Sequence, residues 1–167
     1  VLEGVRIPKD NLLGELNKGF TIAMDTLDGG RIGIASQAVG IARACLEAAV
    51  KYSKEREQFG QPIGNFQAIQ WKLADMSTRI DASRMLTLKA AWLRDRGDKC
   101  TQAASEAKLF ASQTANFCAD ECLQIHGGAG YTDHFHVERL FRDARITELY
   151  EGATDVQRIV IARSVLA

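Results

Sequence analysis

Beyond Pro8 the chain contains a single further proline, Pro62. Proline removes a backbone donor and breaks helix interiors, so its scarcity leaves room for very long helices, and the hydrophobic periodicity calls for them. A first run rich in Ala, Ile, Leu and Met spans residues 19 to about 56, interrupted by Asp28-Gly29-Gly30. Each glycine inside a helix costs about 1 kcal/mol relative to alanine. Periodicity alone therefore favours a break there; the alternative is a continuous helix kept open where a ligand approaches the backbone. Pro62 and Gly64 mark a turn, with Asn65 as N-cap. Ile69, Leu73, Met76 and Ile80 follow at spacings of four, three and four, which share one helical face; Met85, Leu88 and Trp92 extend it toward a stop at Arg96-Gly97-Asp98. A third helix is predicted over about 101–124, with Ala107, Phe110, Thr114 and Cys118 along one stripe, ending at Gly127-Gly128-Ala129-Gly130 where glycine suits a helix terminus. A shorter helix covers about 135–149, and a last one starts at Thr154 with Val156, Ile159, Val160 and Ile161 as its apolar side. Long helices with short connections pack as antiparallel neighbours, so the fold class is all-α, a helical bundle.

Residues 1–17 differ. Val1 to Pro8 alternates briefly and then breaks, reading as a strand end and turn whose sheet partners lie upstream. The chain starts at Val1 without a signal-peptide pattern, and is read as a fragment whose targeting signal, if any, lies outside it. Twenty-one basic residues balance 21 acidic ones, which leaves no electrostatic footprint for nucleic acid or an anionic membrane. No apolar stretch approaches the roughly 20 residues of a membrane span. The cysteines, Cys45, Cys100, Cys118 and Cys122, form no CxxC pair, which favours free thiols in a reducing compartment.

Taken singly, the chemistry-bearing motifs are weak. Cys118, Cys122 and His126 share a helical face, but three zinc ligands on one helix are rare and buried free cysteine is common; no metal site is assigned. His134 and His136 read as surface or capping residues. The glycines at 127, 128 and 130 follow a helix instead of a strand, so they are no dinucleotide fingerprint. Arg56 and Phe59 close the first long helix, where an arginine usually complements the macrodipole. Arg142-Asp143-Ala144-Arg145-Ile146 reads as a structural ion-pair segment. Glu151, between Tyr150 and Gly152, is a carboxylate in a break between helices, with Thr154 or Asp155 capping the last helix.

Their order along the chain is more telling. Val5-Arg6-Ile7-Pro8 with Leu13-Gly14-Glu15 and Gly19-Phe20, Arg31-Ile32-Gly33-Ile34-Ala35, Arg56-Glu57-Gln58-Phe59-Gly60, Gln67-Ala68-Ile69-Gln70, Leu73-Ala74-Asp75-Met76, Gln124 through Tyr131, Arg142-Asp143-Ala144 and Tyr150-Glu151-Gly152 together resemble the carboxyl-terminal part of acyl-CoA dehydrogenases, nearest to the short-chain (butyryl-CoA) branch. The resemblance covers essentially the whole chain. It implies that residues 1–17 end a middle β domain and linker, and that 18–167 form a C-terminal bundle domain of the four-helix type. It implies a flavoenzyme of fatty-acid β-oxidation that introduces a trans-2,3 double bond into a short- to medium-chain acyl-CoA thioester. Glu151 matches the glutamate that removes the α-proton while the β-hydrogen leaves as hydride to FAD. A free glutamate, pKa about 4.3, is a poor base for a carbon acid; desolvation beside an acyl chain disfavours the charged form and strengthens the base. In the family, the glutamate's own N–H and a flavin ribityl hydroxyl polarise the thioester carbonyl.

By the same resemblance Asp28, Gly29, Gly30 and Arg31 line the CoA-thioester site, which favours the unbroken helix, and Tyr150 and Gly152 wall the acyl pocket. Arg56 and Phe59 match residues that hold FAD of a neighbouring subunit; Gln67 and the run Gln124, Ile125, His126, Gly127, Gly128 match further FAD contacts, and Ala153, Thr154 and Asp155 the segment that touches the flavin. Three positions depart from the usual pattern: Ala153 stands in place of threonine, His134 of an acidic residue and His126 of an apolar one. The implied partners are an acyl-CoA, an electron-transfer flavoprotein as acceptor, and copies of the chain in a dimer of dimers. The implied compartment is the mitochondrial matrix in a eukaryote or the cytoplasm in a bacterium. The chain alone is expected to be inactive. An acyl-CoA oxidase and a non-catalytic oligomerisation module of the same family are the competing readings.

Overall fold

The computed structural model describes residues 1–167 as five helices and one small hairpin. The first, α1 (Gly19–Glu55), runs 37 residues without interruption, so the break expected at Gly29-Gly30 does not form. Tertiary packing overrides the local glycine penalty, because Asp28 and Arg31 on either side are buried. A two-stranded antiparallel hairpin, β1 (Glu57–Gln58) and β2 (Gln61–Pro62), follows. Its turn residues Phe59 and Gly60 both have positive φ, 53° and 79°, the sign that two-residue hairpins require. Next come α2 (Gln67–Asp95), α3 (Thr101–His126), α4 (Val137–Ile146) and α5 (Thr154–Val165). Asn65 belongs to a single 3-10 turn, Ile63–Asn65, and Phe66 takes the N-cap position instead. Ala153 caps α5 with no side-chain bond, so neither Thr154 nor Asp155 does.

Cross-links fix the helix directions. Lys72 pairs with Glu121, Ser83 bonds Thr114 and Lys89 approaches Glu106, so α2 and α3 are antiparallel. Thr101 and Ser105 meet Asp28 and Arg31, so α1 and α3 run parallel, both against α2. Twelve of the 19 residues in the core cluster are alanines, which lets helix backbones approach closely. Ala35, Ala38, Ala42 and Ala49 on α1 and Ala104, Ala107, Ala111, Ala115 and Ala119 on α3 are fully buried.

Two apolar faces lie elsewhere than the sequence suggests. The α2 stripe continues from Met76 and Ile80 through Ser83, Thr87 and Ala90, whereas Met85, Leu88 and Trp92 are 65%, 53% and 55% exposed. Small residues won the core side because α2 must come close to α3. On α5 only Gln157 is buried, and Val156 and Ile159 face outward. Contrary to the expectation from composition, α1 is long and apolar enough to cross a membrane, yet its small-residue stripe makes it a core helix of the bundle. Residues 1–20 are exposed throughout, and Val1 to Pro8 form no paired strand. In the ion-pair segment Arg142 bonds Glu138 one turn back, and Arg145 pairs with Glu148; Asp143 takes no part.

Candidate active site

The α4–α5 connection carries Tyr150, Glu151 and Gly152. Glu151 has φ 52° and Gly152 φ 93°, two consecutive residues in the left-handed region. A non-glycine residue there is uncommon and persists only where its surroundings hold it. They do so from three sides. Lys108 Nζ on α3 donates to the Gly152 carbonyl at 2.7 Å. Gln157 Nε2 on α5 donates to the same oxygen at 2.9 Å and to Glu151 O at 3.3 Å. Thr154 N–H and hydroxyl both close back on Glu148 O, at 3.1 and 3.4 Å. The hydroxyl of Thr154 is thus engaged within the connection.

The loop delivers the Glu151 side chain onto α1. A Cβ added at Gly30 would overlap the Glu151 carboxylate, so the missing side chain is what admits that carboxylate to the helix surface. Flanking Gly29 and Gly30, the buried Asp28 and Arg31 form an ion pair at 2.9 Å; Thr101 donates to the other Asp28 oxygen at 2.6 Å, and Arg31 reaches Ser105 at 3.4 Å. Arg31 Nε, beside Gly152, and Gln157 Oε1 are buried without partners. Tyr150 donates its hydroxyl to Gln37 Oε1 at 2.7 Å, which ties the loop to α1 a second time. The Arg94 guanidinium lies 3.3 Å from where a Gly29 Cβ would stand. Next to it a polar cleft of about 490 Å³ opens between Asp25, Asp28, Arg94, Lys99 and Thr101. The Glu151 N–H has no backbone acceptor and is free to meet a ligand oxygen. Asp28, Gly29, Gly30, Arg31, Tyr150, Glu151 and Gly152 are therefore one constellation. It can hold a carboxylate base beside a donor N–H.

Gly152 is the position where this geometry is least tolerant. A methyl there meets Gln157 Nε2 as well as an unfavourable φ. Gly152→Ala is expected to lower stability by about 1–3 kcal/mol, read as a drop in Tm. An unchanged Tm would show that the loop relaxes freely.

A second group gathers at the other end of α1. Gly30 and Arg56 are 26 residues apart, about 39 Å along a helix axis. Here Arg56, Tyr52, Gln58, His126, Gly127 and Gly128 line a cleft of about 380 Å³. Arg56 has no carboxylate partner, Phe59 is 85% exposed on the hairpin tip, and an added Cβ at Gly127 or Gly128 meets nothing. Gln67 opens α2, whose N-terminus has no side-chain cap; uncapped N–H groups there suit a phosphate. Gln124 is exposed and Ile125 buried. A free guanidinium, a projecting aromatic ring and open glycine backbone fit a phosphorylated cofactor with a flat ring. Ala153 and Asp155 are exposed at the start of α5, on the Glu151 side, with Asp155 bonded to Arg158 at 2.8 Å.

His126 is buried, stacked on Tyr52 with ring centroids 4.2 Å apart, and its Nδ1 lies 2.8 Å from Cys122 O. Burial pulls its pKa down, but the bonds to the Cys122 side chain and carbonyl outweigh that and raise it. The Cys118 thiol sits in the core and is pushed up to about 12 by burial. His134 is exposed and packs edge-on to Phe135, and His136 is the N-cap of α4. Lys108, Gln157, Thr101, Ser105 and Gln37 escape the motif reading. Only Lys108 leaves a trace in the sequence, as a charge inside the alanine stripe of α3.

A family model described as acyl-CoA dehydrogenase, C-terminal domain, matches residues 17–166. A probable acyl-CoA dehydrogenase of Bacillus subtilis is 55% identical over 99% of the chain and 44% of that protein. A 3-(aryl)acrylate reductase of Clostridium sporogenes is 51% identical over 99% of the chain and again 44% of that protein. The structure of butyryl-CoA dehydrogenase from Megasphaera elsdenii superposes with a TM-score of 0.95 at 50% identity, covering 96% of the chain and 42% of the other. The chain thus spans less than half the length of the relatives it matches.

Proposed function

The chain belongs to the acyl-CoA dehydrogenase family, as its C-terminal domain, and from that premise we propose that the protein carrying it dehydrogenates a short- to medium-chain acyl-CoA to the trans-2-enoyl-CoA, with Glu151 as the α-proton base. The observation that carries this reading is the Glu151 carboxylate laid against the bare Gly30 backbone, beside its own free N–H. Glu151 takes the proton α to the thioester, and its N–H donates to the thioester oxygen as negative charge develops there. Acceptance of the β-hydrogen as hydride is the chemistry that FAD supplies when bound. Asp28 and Arg31 neutralise one another below the thioester, Tyr150 walls the acyl chain, and Gly152 leaves room beside it.

The two clusters are about 39 Å apart on α1, so they serve different cofactor molecules. Ala153, Thr154 and Asp155 face the flavin beside Glu151. Arg56, Phe59, Gln67 and Gln124 to Gly128 hold the adenine and diphosphate end of the FAD in a neighbouring subunit, which makes the oligomer, a dimer of dimers, part of the site. Residues 1–17 are the exit from an upstream β domain. An electron-transfer flavoprotein is the acceptor, and the compartment is a bacterial cytoplasm or a mitochondrial matrix.

A second reading is favoured by the acrylate reductase relative: the same atoms run backward, with Glu151 returning a proton to the α-carbon. Turnover of the full-length protein with an acyl-CoA series from butyryl to palmitoyl and an artificial electron acceptor separates the readings. The expected result is dye reduction strongest at the short end, without peroxide. Peroxide formation indicates an oxidase, and turnover only of enoyl-CoA with a reductant indicates the reverse enzyme.

A further inference from the structure

Lys108 is the largest side chain that the bundle buries completely. It lies on α3 among Ala104, Ala107 and Ala111, and it takes part in no ion pair. Burial pushes its pKa down from the ordinary 10.5; Glu148 and Glu151 pull it up, and Arg31 pushes it further down. A native pKa below the unfolded one means that the protonated amine costs stability at low and neutral pH. That cost is relieved as pH rises from the native value through 10.5. A buried cation with no carboxylate at ion-pair distance is a poor way to hold a bundle together, which turns attention to its one hydrogen bond. That contact is the 2.7 Å bond to Gly152 O, an oxygen it shares with Gln157 Nε2 at 2.9 Å.

We propose that Lys108 is a positioning residue for the base: through the Gly152 carbonyl it locks the left-handed Glu151–Gly152 pair and keeps the Glu151 carboxylate against Gly30. The proposal rests on the reading of Glu151 as α-proton base. Lys108 touches no reacting atom. It acts by fixing the peptide that follows Glu151, with Gln157 as the second donor. The charged groups around it are Arg31 from α1 and Glu148 and Glu151 from the α4–α5 connection.

The test uses the full-length flavoprotein with Lys108→Met, which keeps an unbranched side chain one atom shorter and removes the buried charge. The fold and flavin content are expected to persist, with Tm unchanged or raised. kcat is expected to fall roughly 30- to 100-fold, the scale for a reacting group displaced by about 1 Å, with KM much less affected. The isotope effect from α-deuterated acyl-CoA is expected to rise, because proton removal becomes slower. A purely structural lysine would give the opposite pattern: lower Tm, with normal kcat and isotope effect per bound flavin. That pattern overturns the proposal. Gln157→Leu removes the other donor to Gly152 O and decides the matter should the methionine variant not fold. It is expected to lower kcat and raise the isotope effect in the same direction, and a wild-type kcat and isotope effect in it overturn the proposal. Where both variants fold, the double variant is expected to lose less than the product of the two single losses. Glu151→Gln runs in parallel. Activity in that variant would sink the base assignment and this proposal together, whereas an inactive Glu151→Gln beside a fully active Lys108→Met sinks this proposal alone.

Discussion

Glu151→Gln in the full-length flavoprotein is expected to lower kcat by about 10³-fold or more, toward the upper range for loss of a general base, while the yellow flavin stays bound. Glutamine keeps the shape of the side chain and the free N–H of the same residue, so substrate still meets the donor that polarises its thioester. What it loses is the acceptor for the α-proton. The fold has little reason to respond: the Glu151 side chain makes no ion pair or hydrogen bond, and only its backbone carbonyl is held, by Gln157. Flavin content by absorbance, Tm and steady-state turnover together make the check. Substantial residual turnover at full flavin occupancy would remove Glu151 from the role of base.

Gly30→Ala is expected to separate activity from stability. Alanine is the better helix former by about 1 kcal/mol, and Gly30 lies within the uninterrupted helix α1. The added methyl, however, occupies the space of the Glu151 carboxylate. That carboxylate is the far end of a flexible side chain, so it swings aside at small cost to the fold. For catalysis the same displacement is severe: about 1 Å of misplacement costs on the order of 100-fold in rate. The expected result is a Tm equal to or above wild type with kcat reduced about 100-fold. A variant with wild-type kcat would show that the base works from elsewhere than the Gly30 surface.

The helices are legible in the sequence because their signals are local. Gly97 and the glycines from 127 stop α2 and α3 close to where they are predicted, and α5 begins at Thr154 as expected. Gly29-Gly30 is ambiguous from periodicity, since glycine weakens a helix whether or not something lies against it. The family resemblance, not the local pattern, favours the continuous helix. The outward turn of Met85, Leu88 and Trp92 is illegible for a related reason: hydrophobicity marks surface that prefers burial, without saying which partner buries it.

Of the Tyr150-Glu151-Gly152 segment, the sequence by itself determined the residue types, the break between helices and, through the order of its motifs, the family. Spacing along a helix depends only on neighbours within a turn or two, so such features survive in a one-dimensional reading. The tertiary structure alone decided that α1 and α3 run parallel, that the Glu151 carboxylate rests on Gly30, and that Lys108 and Gln157 reach the Gly152 carbonyl. These contacts join residues 44 to 121 positions apart or depend on the left-handed turn at Glu151. They arise from close packing of alanine-lined helices, in which a missing side chain at Gly30 and a buried cation at Lys108 acquire a meaning that neither has alone.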